Sequence, residues 1–392
     1  MRTTDIAIVG GGLAGSVTAA MLGRAGIDAL LIDPHPMYPP DFRCEKLDRE
    51  QVRILATTGL AAEVLAQATP SDDVWIVRGR RVENRRIGQQ DLLYDTLVNA
   101  FRRCVPAGVP LIESKVTALS TSADRQRLTL ADGEEIEARL VVLANGLNVA
   151  LRHTLGMTRD IVSENHSISI GFDVAPVGRD GFRFPALTYY PDRIDQRIAY
   201  LTLFPIGGGV RANLFNYRDM RDPWLKEMRH APVDTLRRTL PGLARFTGDF
   251  AVTGDVKIRP VDLYVTGGHR QPGVVLVGDA FATSCPAAGT GAGKAINDAS
   301  RLAGMHIPRW LATPGMATDK IASFYDDPAK LAVDSHSADK ARYVRAIATD
   351  TSLAWSARRW VNGIARSVGL AKLRDYSARH QTATLPASRS AA

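Results

Sequence analysis

Six residues close to the start, Gly10-Gly11-Gly12-Leu13-Ala14-Gly15, constrain this chain more than any other stretch. An apolar run, Asp5–Val9, leads into them, a helical stretch, Ser16–Arg24, follows, and a second apolar run, Ala29–Ile32, ends at Asp33. Strand, glycine turn, helix, strand and acid is the order of a βαβ unit that holds a dinucleotide. Gly10 permits the tight turn, Gly12 lets the backbone approach a diphosphate, and Gly15 lets helix and strand pack closely. The helix N-terminus, with Leu13 and Ala14 beside it, faces the diphosphate charge. Asp33 is placed to accept hydrogen bonds from ribose hydroxyls, as an acceptor-only carboxylate does. Glycine turns are common, so the hexapeptide gains its weight from this frame, and it does not separate FAD from NAD.

A second motif lies far downstream. Val274-Val275-Leu276-Val277-Gly278-Asp279-Ala280 is followed by Pro286, by Gly289-Thr290-Gly291-Ala292-Gly293-Lys294, and by Asp298-Ala299. A strand ending in Gly-Asp offers a carboxylate to a polyol, and a glycine-rich helix start offers free amides to an anion. Together the two motifs resemble the flavoprotein aromatic hydroxylases that are similar to para-hydroxybenzoate hydroxylase. That resemblance implies bound FAD, with Asp279 on the ribityl chain, Pro286 beside the isoalloxazine, and the backbone of Gly291 and Ala292 toward its N1–O2 edge. Reduced flavin is anionic there, so free N–H groups and the positive helix end stabilise it. Nicotinamide-only dehydrogenases carry the first motif without the second.

Shorter stretches extend the resemblance over about residues 5 to 305. Arg43-Cys44-Glu45-Lys46-Leu47 looks like the family segment in which an arginine begins a helix and approaches the FAD diphosphate, which selects Arg43. Ile87-Gly88-Gln89-Gln90-Asp91-Leu92 is similar to the segment whose glutamine contacts the flavin, which selects Gln89. Val116, Gly278 and Gly289 complete the cofactor contacts that the resemblance implies. An exposed arginine and a capping glutamine are the plain alternatives for Arg43 and Gln89.

Departures from the family are also informative. Ala144-Asn145-Gly146 stands where the hydroxylases usually carry Asp-Gly, so direct use of NADPH or NADH is in question and a separate flavin reductase is the other electron source. Gly293 replaces an asparagine, and Lys294 after it either assists an anionic flavin or points into solvent. Tyr200-Leu201-Thr202-Leu203-Phe204-Pro205 partly resembles a geranylgeranyl reductase signature in which tryptophan stands at the Thr202 position.

The expected architecture is α/β: a Rossmann-like FAD-binding domain (1–70, 98–163 and 273–315) interleaved with a mixed, largely antiparallel-sheet substrate domain (71–97 and 164–272), then C-terminal helices (316–380) and a disordered tail (381–392). A chain of 392 residues that is 45% hydrophobic has enough material for both lobes. Ser167–Val174, Arg197–Leu203 and Val210–Tyr217 alternate like antiparallel strands, and Leu353, Ala357, Trp360, Val361, Ile364 and Val368 share one helical face. The activity expected from the resemblance is an FAD-dependent monooxygenase that hydroxylates an aromatic or other electron-rich small molecule with O2, through a flavin C4a-hydroperoxide. The alternative is an FAD-dependent reductase of an apolar, isoprenoid-like substrate at a membrane surface. His166, Tyr189 and Tyr190 are the candidates for a base on the substrate lobe, with packing or surface roles as their plain alternatives.

Cys44, Cys104 and Cys285 have no metal-ligand spacing, so reduced thiols and no metal are expected. With no room for a cleavable leader before Ile6 and no long apolar run, a cytoplasmic location is expected. From Lys340 to Ala392 there are ten Lys/Arg against two acids, which equals the net charge of +8. The plain reading of that segment is a solvated helical face; the functional one is peripheral contact with an anionic membrane or an acidic partner. Nucleic acid is not expected, since no binding motif accompanies the charge.

Overall fold

The computed structural model describes residues 1–43 and 45–367, and side chains as far as Asn362 at the C-terminal end. Cys44, the Ile364 and Val368 side chains, residues 368–380 and the tail Gln381–Ala392 lie outside the described residues.

Two sheets organise the chain. The first runs Leu111–Ile112, Ala29–Ile32, Arg2–Val9, Glu135–Leu143, Gln126–Leu130, Val116–Ser120, with Val274–Leu276 against the C-terminal part of Glu135–Leu143. Ile8 stands beside Leu31 and Val142, and Val142 beside Val275, all in parallel pairs. Ile6, Ala7 and Ile8 are all fully buried, without alternation, because both faces of a parallel sheet are covered. The helices Leu13–Arg24, Tyr94–Arg103 and Gly291–Arg301 pack together on it. The strands that end in Val9, Leu143 and Leu276 therefore bring the glycine turn, the Ala144-Asn145-Gly146 loop and the Gly278-Asp279 turn to one edge, where ligands of such sheets bind.

The second sheet has the order Phe250–Gly267, Thr158–Pro176, Gly209–Asn216, Ile198–Ile206, Leu187–Tyr190, Thr69–Arg78, Arg81–Asp91, Lys46–Leu47. It is antiparallel except where Leu187–Tyr190 meets Thr69–Arg78. Side chains alternate between its faces. Phe172, Leu201, Leu203 and Leu214 enter a core with residues of the helices Pro223–His230 and Pro232–Thr239. The opposite face carries Ser169, Gly171, Tyr200, Thr202, Asn213 and Phe215, since Ser169 pairs with Phe215, Gly171 with Asn213, and Asn213 with Thr202.

Past Pro314 the chain is helical, as expected: Thr318–Tyr325, Pro328–Thr349 and Leu353–Ser367. The last helix holds a reversal. Its apolar stripe faces outward, while Arg359 and Asn362 point inward, donating to the Asp350 carbonyl at 2.7 Å and to the Tyr343 hydroxyl at 3.1 Å. The carbonyls at the end of Pro328–Thr349 need donors, and Arg359 supplies them.

Candidate active site

A cavity of about 300 to 1,000 Å³ is the usual room for a small molecule, and here about 610 Å³ opens between the two sheets. Its wall on the first sheet begins at the glycine turn. Gly10 has φ +103°, and a Cβ there would lie 2.6 Å from the Ala144 carbonyl oxygen, so only glycine fits. At Gly12 the nearest atom to an added Cβ is Tyr38 Cε2 at 3.9 Å; the space over this backbone is open and belongs to the cavity. Gly15 packs instead: its Cβ would be 1.9 Å from the Gly10 carbonyl oxygen, and it holds the helix against the strand without lining the cavity.

Asp33 lines the same wall. The Gly11 N–H donates to its Oδ2 at 2.7 Å, the His35 N–H to its Oδ1 at 2.9 Å, and Arg102 Nη2 lies 3.1 Å from Oδ1. Oδ2 keeps a lone pair for a ribose hydroxyl. Arg102 also donates through Nε to the Gly11 carbonyl at 2.9 Å and so ties the turn to the acid. No motif marks it in the sequence; it arrives from the last turn of Tyr94–Arg103.

The second motif supplies the facing groups. Gly278 turns with φ +61° and donates its N–H to Asp298 Oδ2 at 3.0 Å, which sets the direction of Asp279. Asp279 Oδ2 accepts from Arg43 Nη1 at 2.8 Å across 236 residues of chain. Arg43 Nε donates to Asp41 at 2.7 Å, and Asp41 also accepts from Arg259 at 2.6 Å. Burial opposes the Asp41 carboxylate, but Arg43 and Arg259 outweigh it and hold the acid below its ordinary range. Arg43 therefore reaches the cavity from a loop: contrary to expectation the helix begins at Arg49, after the Asp48 cap, which accepts from the Gln51 N–H at 2.9 Å. Pro286, Gly289, Gly291 and Ala292 all line the cavity. The first intrahelical bond of Gly291–Arg301 runs from the Lys294 N–H to the Thr290 carbonyl at 2.9 Å, so the amides of Gly291 and Ala292 precede it and are available to an anion.

Other expected residues are placed differently. Val116 starts an edge strand, packs against the core of the first sheet and is not among the cavity walls. Lys294 neither faces the flavin side nor points into solvent; it is buried between Asp298 at 3.6 Å and Asp334 at 3.2 Å. Tyr189 is on the core face of its sheet, with its hydroxyl pushed up to about 12 by burial and then by Asp192. Tyr190 packs on Tyr200 outside the cavity wall. His166 sits behind it beside Ser163 and Arg345, and burial, then Arg345, lowers its pKa to about 4. None of the three base candidates lines the cavity.

Gln89 does line it, and donates through Nε2 to Asp91 Oδ1 at 2.5 Å. Asp91 is fully buried, and desolvation raises its pKa to about 6 against the opposing pull of Ser71, Gln89 and Lys46. The folded state thus holds this proton over a pH range in which the unfolded chain, titrating near the ordinary value of 3.8, has released it. Stability conferred by the neutral acid is complete below about 4 and is lost as the pH rises through about 6, at an upper-bound cost of about 3 kcal/mol. Urea unfolding of wild type and Asp91→Asn should diverge over this window, with the variant gaining on wild type by about 1 to 3 kcal/mol between pH 4.5 and 7.5. Parallel curves would show that the acid does not titrate there.

Sequence reasoning did not find the floor that the second sheet contributes. Glu45, fully enclosed, accepts from Arg211 Nη1 at 2.8 Å and from Asn213 Nδ2 at 3.1 Å. Burial pushes its carboxyl up, and Arg211 and Asn213 pull it back. Because the Asn213 NH2 points at Glu45, its Oδ1 is the atom left open, and Oδ1 is buried without a partner, as is Ser169 Oγ. Both residues line the cavity with Phe42, Tyr200 and Phe215. Phe42 fills the notch at Gly171, where an added Cβ would meet its ring at 2.3 Å.

The donors and acceptors on the first wall suit the parts of FAD in kind: an open glycine turn for the diphosphate, Asp33 for a ribose, Asp279 for a polyol, and Arg43 with the helix amides for negative charge. Comparison with known families agrees, since the family described as "FAD binding domain" matches residues 3–306. The chain belongs to this family. Flavoprotein hydroxylases similar to para-hydroxybenzoate hydroxylase are among the proteins that resemble this chain, and FAD is its cofactor. This family member is 30% identical over 179 residues to ubiquinone hydroxylase of Rhodospirillum rubrum, a match covering 40% of each chain. It is 28% identical over 320 residues to 3-amino-4-hydroxybenzoate 2-monooxygenase of Streptomyces platensis, covering 76% of this chain and 78% of that protein. In fold it is similar to p-nitrophenol 4-monooxygenase of Pseudomonas putida DLL-E4, with a TM-score of 0.72 at 18% identity over 91% of this chain and 92% of that one.

Proposed function

We propose that the chain is an FAD-dependent monooxygenase that hydroxylates an uncharged, electron-rich aromatic molecule bearing a hydroxyl or amino group. The observation that carries this reading is a single cavity with FAD-type ligands on one wall and a polar, aromatic floor on the other. The cofactor lobe comprises 1–70, 98–163 and 273–315, and the substrate lobe 71–97 and 164–272, except that Lys46–Leu47 and residues 158–163 join the second sheet and Tyr94–Arg103 packs on the first. Bound FAD, once reduced, would pass two electrons to O2 and so activate it. One oxygen atom enters the substrate ring and the other leaves as water, with two electrons drawn from NADPH or NADH directly or through a separate flavin reductase.

The protein's part is binding, orientation and exclusion of water. Asn213 Oδ1 and Ser169 Oγ take hydrogen bonds from the substrate's O–H or N–H, since both are otherwise orphaned in a buried setting. Phe42, Tyr200 and Phe215 flank the ring. Arg43, Arg159 and Arg259 on the cavity wall each have an aspartate partner, so a substrate carboxylate is not required to balance them. The reductase alternative has less support, because several hydroxylases and monooxygenases, and one reductase, are among the proteins similar to this chain.

The deciding experiment supplies the holoenzyme with NAD(P)H, a flavin reductase and a panel of phenols and anilines under 18O2. A product heavier by one labelled oxygen is expected from at least one of them. Asn213→Leu should raise KM for that substrate by about ten- to hundredfold, the cost of an unanswered polar group, while FAD content stays unchanged. Substrate reduction without label uptake would replace this reading with the reductase one.

A further inference from the structure

The last described helix, Leu353–Ser367, is amphipathic in the wrong sense for a helix that closes a core. Leu353, Trp360 and Val361 are 89%, 69% and 54% exposed and, with Ala357 between them, form one outward stripe at i, i+4, i+7 and i+8. The inward face is held by polar bonds, those of Arg359 and Asn362, and by Trp355 packed on Tyr343 with ring centroids 5.7 Å apart. The helix is therefore seated by its polar side and presents its apolar side.

We propose that this stripe docks on an anionic lipid surface. Three observations favour a bilayer over a second copy of the chain or an acidic protein. A tryptophan flanked by aliphatic side chains is the composition that settles at the boundary of headgroups and acyl chains. From Thr351 to Ala392 there are seven Lys/Arg and one acid, Asp375, so the segment that carries the stripe is strongly cationic. Arg358 is exposed next to the stripe, its guanidinium 5.6 Å from the centre of the Trp355 ring. The helix has 15 residues, and no helix among the described residues is long and apolar enough to cross a membrane, so it lies on the surface.

The position of the helix agrees. Beneath it lies a second cavity of about 330 Å³, walled by Tyr343, Ile347, Arg359 and Asn362 on the helical side and by Tyr190 and Tyr200 on the sheet side. Tyr200 also lines the main cavity, where its hydroxyl donates to the Ala287 carbonyl at 2.7 Å. Tyr200 is thus part of the wall of both cavities.

The test uses the full-length holoprotein and vesicles of phosphatidylcholine with or without phosphatidylglycerol, read by flotation and by tryptophan fluorescence. Wild type should float with the phosphatidylglycerol vesicles, with a blue-shifted emission, and remain behind with phosphatidylcholine alone. Leu353→Ser/Trp360→Ser should lower the partition coefficient at least about tenfold while retaining FAD and the wild-type unfolding midpoint. No flotation of wild type, equal flotation of the double variant, or equal binding to neutral vesicles would each overturn the proposal. So would a concentration-dependent dimer that the double variant abolishes, which would assign the stripe to a second copy. Flotation reads binding alone, so its failure leaves the hydroxylation reading standing, and failure of hydroxylation leaves the docking reading standing.

Discussion

Gly12→Val is expected to give a folded protein that purifies colourless. The glycine turn contains three positions with different tolerances. A Cβ at Gly10 or Gly15 would come within 2.6 or 1.9 Å of a backbone oxygen, so substitution there attacks the fold itself. Gly12 has φ −74° and ψ −164°, a conformation open to any residue, and its nearest neighbour to an added Cβ is a ring carbon 3.9 Å away. A valine side chain therefore fits the unliganded protein and fills the space in which a diphosphate must meet the helix N-terminus. Circular dichroism and the urea midpoint should stay close to wild type, while FAD affinity falls by at least about a hundredfold, or ~2.7 kcal/mol. Desalted protein that still absorbs in the visible flavin bands would show that the turn does not hold the cofactor.

What could be read from the sequence was local. Gly10 to Gly15 and Gly278 to Ala292 act through backbone shape within a few residues, so their spacing is their geometry, and of the signature glycines Gly10 and Gly12 line the cavity while Gly15 does not. The substrate floor was not legible for the opposite reason. Ser169, Tyr200 and Asn213 are alternate residues of three strands, and only the pairing register puts them on one face. The same register turns Tyr189 into the core, although as a residue type it is as good a candidate base as its neighbours. Arg102 has no signal of its own, because its partners Gly11, Asp33 and His35 are 67 to 91 residues away. The stripe of Leu353, Trp360 and Val361 was legible as a periodicity, but periodicity does not say which side of a helix meets the protein; the hydrogen bonds of Arg359 and Asn362 decide that.

The fate of Lys294 leads to the second large effect. Lys294, Asp298 and Lys330, all buried, form a quartet with the half-buried Asp334: Lys330 Nζ donates to Asp298 Oδ1 at 2.8 Å and to Asp334 Oδ2 at 3.0 Å, and Lys294 lies between the same two carboxylates. Lys330 and Asp298 are essentially inaccessible to water, and Lys330 Nζ stands 4.3 Å from the centre of the Phe281 ring. Burial works against the Asp298 carboxylate, yet Lys294 and Lys330 hold its pKa below the ordinary range. Asp298→Ala leaves two buried ammonium groups with one carboxylate and strips the Gly278 N–H of its acceptor, so a loss of about 3 to 5 kcal/mol in urea unfolding is expected. FAD retention should fall with it, because the Gly278 turn directs Asp279 into the cavity. Asp298→Asn/Lys330→Met restores charge balance and leaves an acceptor for Gly278, so it should recover a large part of both losses, a non-additivity of at least about 1 kcal/mol against the single variants. A loss below that size in Asp298→Ala would mean that water reaches the quartet, and the turn would then owe its shape to glycine alone.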